Sequence, residues 1–104
     1  MVGQTNLFDD VLKTEERFVI VVQSLEEKQG QLLKRTLREY SSLTHEQMEN
    51  LYQHLKDLYL DVPFEENQSA FAITIYTNQD YAADYIYAHI KRHRGQKEWT
   101  HTAK

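Results

Sequence analysis

Apolar and polar residues alternate with helical spacing most clearly in the middle of the chain. Thr44-His45-Glu46-Gln47 reads as a capping box, in which the threonine hydroxyl accepts from the Gln47 amide and the glutamine reaches back. Behind it Met48, Leu51, Tyr52, Leu55, Leu58, Tyr59 and Val62 recur at steps of three and four. Glu46, Asn50, Gln53 and Asp57 face the other way. This predicts an amphipathic helix that Pro63 stops.

Two stretches read as strands. Phe18-Val19-Ile20-Val21-Val22 is β-branched and apolar. Ser69 to Thr77 alternates, with Phe71, Ile73 and Ile75 on one face and Ala70, Ala72, Thr74 and Tyr76 on the other. The N-terminal part also keeps a helical period through Leu7/Phe8, Val11/Leu12, Glu15, Phe18/Val19, Val22 and Leu25, so a long helix over residues 5–23 is the alternative.

From Asn78 to about Arg94 the spacing predicts a last helix. Ala82, Ala83, Tyr85, Ile86, Tyr87, His89, Ile90 and His93 would share one face, and Gly95 stands at the C′ position. Residues 24–40 admit two readings. Ser24-Leu25-Glu26-Glu27 is a second capping box, and Leu25, Gln29, Leu32, Leu33, Thr36, Leu37 and Tyr40 hold helical spacing. Gly30 would cost a helix interior ~1 kcal/mol relative to alanine, and a hairpin turning at Lys28-Gln29-Gly30 with Leu32 to Tyr40 as a strand is the other reading.

The predicted fold is therefore α+β: a small two- or three-stranded sheet packed with two to three amphipathic helices. Residues 1–94 would form one globular domain and 95–104 a flexible basic tail. A sheet of only two strands is marginal alone, which points to a homodimer.

With 104 residues, 40% hydrophobic and 27% charged, the chain can bury a core and has room for one domain. It has no cysteine, which excludes disulfides, cysteine–zinc sites and thiol nucleophiles. Its start has no basic n-region and turns acidic at Asp9-Asp10, and no apolar run approaches the ~20 residues of a membrane span. A soluble cytoplasmic protein is expected.

The net charge of -4 is unevenly placed. From His89 onward Lys91, Arg92, Arg94, Lys97 and Lys104 oppose Glu98 alone, a net of +4. Residues 1–88 carry -8. Such a split describes a basic arm on an acidic body, or a helix that ends in cations to complement its dipole.

Catalytic signals are absent. G-x-S-x-G, G-x-x-x-x-G-K-[ST] and G-x-G-x-x-G do not occur, and no cofactor is expected. His89 and His93 have the helical spacing of a metal-binding pair but lack a third ligand and flank two cations, which makes them weak candidates. Tyrosine is over-represented, with seven residues, and an amphipathic ring with a polar tip suits interfaces. Tyr81, Tyr85, Lys91, Arg92, Arg94, Lys97 and Trp99 are the candidate partner-binding residues. The expected function is a non-enzymatic interaction or regulatory protein that binds a macromolecular partner, including an inhibitor whose acidic body mimics nucleic-acid charge. The alternative is nucleic-acid binding by the basic C-terminal segment with Trp99 and the tyrosines.

Overall fold

The computed structural model describes residues 17–77 and 86–101. Strands β1 (Phe18–Lys28), β2 (Gln31–Leu43), β3 (Gln68–Tyr76), β4 (Ile86–His93) and β5 (Thr100–His101) form one antiparallel sheet in the order β2-β1-β3-β4-β5. Among the described residues the only helix is α1 (His45–Asp61), which connects β2 to β3. This corrects the expectation of a two- or three-stranded sheet packed with two to three helices. It also removes the marginal two-stranded sheet that motivated a dimer.

Helix α1 forms as its sequence predicts. Thr44 Oγ1 accepts from the Gln47 amide at 3.2 Å and Gln47 Oε1 accepts from the Thr44 amide at 3.0 Å. Met48, Leu55 and Tyr59 are buried, while Leu58 is 39% exposed and falls outside the apolar stripe. They pack on Phe18, Ile20 and Val22 of β1, Phe71, Ile73 and Ile75 of β3, and Ile90 of β4. Strands β1 and β3 lie inside the sheet and are buried on both faces: Val19, Val21, Leu25, Ala70, Ala72 and Thr74 are all buried as well. Burial on both faces is why residues 18–22 read as an unbroken apolar run.

The hairpin reading of residues 24–40 is the one realised. Gln29 (φ 51°) and Gly30 (φ 79°) both take left-handed conformations, the pattern of a tight two-residue turn between twisted strands. Ser24 caps no helix; its hydroxyl donates to Glu26 Oε2 at 3.2 Å. The helical spacing of Leu37 and Tyr40, which Leu43 continues, has a different cause. The pairing of β1 with β2 slips between Val22 and Gln23 and again between Phe18 and Ile20. Each slip inserts an extra β2 residue, so side chains three apart pack on the same core.

The predicted last helix is also corrected. Its described part, residues 86–93, is β4, paired along β3 from Ala70↔His93 to Tyr76↔Ile86. Ala88 and Ile90 alternate with His89 and Lys91, as a strand requires, and a register slip at Tyr87 sets Ile86 outside that row. Arg92 continues the inward row and is buried, which interrupts the apolar alternation and hides the strand. Residues 78–85, including Tyr81 and Tyr85, and residues 5–16 of the alternative N-terminal helix lie outside the described residues.

Candidate interaction surface

Strand β4 and the turn after it carry most of the basic candidates, and the fold uses several of them internally. Arg92 is 5% exposed and reaches the C-terminal end of α1. Its Nε and Nη2 donate to the Tyr59 carbonyl at 2.9 and 2.5 Å, Nη2 also to Val62 at 3.2 Å, and Nη1 to Gln96 at 3.0 Å. The guanidinium stands 4.8 Å from the Phe64 ring centroid and 5.7 Å from that of Phe71. Helix α1 has no basic residue in its own last turn, so Arg92 supplies the cation that its dipole favours. Burial lowers the Arg92 pKa and Asp61 opposes that shift.

Arg94 gathers the loop before β3, with Nη1 donating to the carbonyls of Glu65, Glu66 and Gln68 at 3.0, 3.3 and 2.8 Å. Gly95 turns the chain at φ 88°. Trp99 is partly buried against the core and donates from Nε1 to the Lys56 carbonyl at 3.0 Å, and Thr100 pairs with Lys91. Within residues 95–101 the chain is therefore held at both Trp99 and β5. Lys97 is exposed beside Gln96 and Glu98, and Lys91 is partly exposed.

The histidine pair does not converge. Four residues on a strand span ~13 Å, against about one turn of a helix, so His89 and His93 cannot share one ion. No group of three metal-ligating side chains occurs among the described residues. His89 Nδ1 lies 2.7 Å from Thr74 Oγ1 across the β3–β4 pairing. Burial lowers the His89 pKa first, and the charges of Lys91 and Lys34 lower it further. His45 lies 3.4 Å from Glu49 and edge-on to Phe18 and Tyr87.

Sequence reasoning passed over a different feature, the edge strand β2. It is thirteen residues long, where natural edges are kept short, and ten of its side chains are exposed. No described strand lies beyond it. Leu32 is 60% exposed and Leu33 43%, beside Lys34 and Arg35. Gln31–Thr36 pairs with β1 without a register slip, and the slip near Leu37 ends that regular stretch. Arg35 Nη1 approaches Glu26 Oε2 at 3.8 Å, and Arg38 donates to the hydroxyls of Tyr59 and Tyr40 at 3.2 and 3.4 Å. A polar depression beside the hairpin, lined by Glu26, Lys28, Arg35 and Glu65–Gln68, mixes both charge signs. The signal in sequence was Leu32-Leu33-Lys34-Arg35 just after a turn, which helical spacing absorbed.

The outer side of α1 is acidic, with Glu46, Glu49, Asp57 and Asp61 exposed. No described helix is long and apolar enough to cross a membrane. No family model, curated protein or solved structure matches the chain.

Proposed function

We propose that this chain is a non-enzymatic binding protein that engages a protein partner through the β2 side of its sheet. The observation that carries this reading is the length and exposure of β2, beyond which no described strand lies, with two exposed leucines at one end. The nucleic-acid alternative loses support because buried Arg92, Trp99 Nε1 and Nη1 of Arg94 donate to backbone carbonyls of the fold. Of its described candidates, Lys91, Lys97 and the exposed part of the Arg94 guanidinium remain for phosphate.

A second reading rests on the acidic outer side of α1. There Glu46, Glu49, Asp57 and Asp61 would occupy the nucleic-acid-binding site of a basic target.

Capture of partners from the native cell extract, with and without nuclease, tests the reading. We expect a protein partner that survives nuclease treatment. Salt-sensitive, micromolar binding of labelled single strands by the full chain would overturn it in favour of nucleic-acid binding.

A further inference from the structure

From this reading of β2 we infer the chemistry of its partner: an extended acidic segment that adds to Gln31–Thr36 as a further strand. The charges on β2 are three cations (Lys34, Arg35 and Arg38) against Glu39, a net of +2 on a chain of net -4. Edge charges and register slips are devices that keep sheets from joining edge to edge. Over Gln31–Thr36 the guard, Lys34 and Arg35, is of one sign. It sets cation against cation in the registers that bring Lys34 and Arg35 of two copies opposite one another, and like charges so placed destabilise a strand pair. The same cations attract an acidic strand.

The order of residues narrows the partner further. Side chains alternate between faces, so Leu33 and Arg35 lie on one face of the edge and Leu32 and Lys34 on the other. An antiparallel partner meets Arg35, Lys34, Leu33 and Leu32 in that order. Two adjacent acidic residues followed by two adjacent apolar ones complement both faces at once. Backbone hydrogen bonds to the open edge give affinity, and the alternate side chains give specificity.

The probe is a capped peptide, Ser-Thr-Glu-Glu-Val-Ile-Thr-Ser, and the control replaces its two glutamates with lysine. Titrated into the isotopically labelled full chain, the acidic peptide should shift Gln31–Thr36 resonances and slow exchange of the outward amides of β2. The lysine control should bind about tenfold more weakly, and Lys34→Glu should cost the acidic peptide about tenfold. Lys34 is exposed, so the variant should fold, and Lys34→Gln gives an intermediate loss without adding a negative charge. Equal binding of both peptides, or shifts elsewhere on the sheet, would overturn the inference. So would protection of β2 that rises with protein concentration alone alongside a dimer in sedimentation, which would make a second copy the occupant. A nuclease-resistant partner whose capture is unaffected by Lys34→Glu would leave the binding reading standing and remove this inference.

Discussion

Among the described charged residues, Arg92 is the one whose replacement should destabilise this protein most, although its position in sequence suggests an exposed cation. The guanidinium is buried and forms four hydrogen bonds to three carbonyls, two of them at the end of α1. Arg92→Met keeps much of the volume and removes every donor. The Tyr59 carbonyl then loses both its bonds, and a buried acceptor left unpaired costs ~1–3 kcal/mol. The Val62 and Gln96 carbonyls are only partly buried and recover water, so they add less. Relief from burying a cation offsets part of the loss. The sum is about 3 kcal/mol. Arg92→Lys retains a charge but cannot span Tyr59, Val62 and Gln96 at once, and should cost about 2 kcal/mol. Urea unfolding measures both as midpoint shifts at constant slope. A shift equivalent to less than ~0.5 kcal/mol for Arg92→Met, the size of a surface substitution, would refute the reasoning.

Three further outcomes are expected. Leu55→Ala should cost ~2–5 kcal/mol in urea unfolding, whereas Leu58→Ala, one turn on but 39% exposed, should cost much less; equal losses would misplace the helix. The Tyr52 hydroxyl is buried with no hydrogen-bond partner among the described residues, so Tyr52→Phe should raise stability by ~1 kcal/mol, and a clear loss in thermal unfolding would contradict that. His89 titrates below its ordinary value because of burial, Lys91 and Lys34, so the unfolded chain binds its proton more readily. Its contribution is therefore present above pH ~6.5 and is lost as pH falls through the lower folded value; His89→Gln should flatten the fall in urea midpoint over that window, and an unchanged slope would exclude His89 as its source.

Local chemistry determined part of this protein from sequence alone. The capping box at Thr44, the stripe behind it and the stop at Pro63 define α1 through contacts within a few residues. The apolar run at 18–22 and the alternation at 69–77 define β1 and β3 because each strand's pattern follows directly from its own burial. Tertiary structure decided the rest. Strand β4 depends on a buried arginine whose acceptors lie about thirty residues earlier, at Tyr59 and Val62, so its inward row could not read as apolar. Strand β2 carries a period of three because two register slips against β1 add residues that only pairing reveals. The destination of Arg94 and Trp99 was equally hidden, since their donors meet carbonyls of the loop before β3 and of α1. A side chain's local pattern states which way it points, whereas its partner is set by chain segments that folding brings from far away. That is why helix α1 and β3 were legible from sequence, and β1 beside a helical alternative, while the long exposed edge strand appeared only in the assembled sheet.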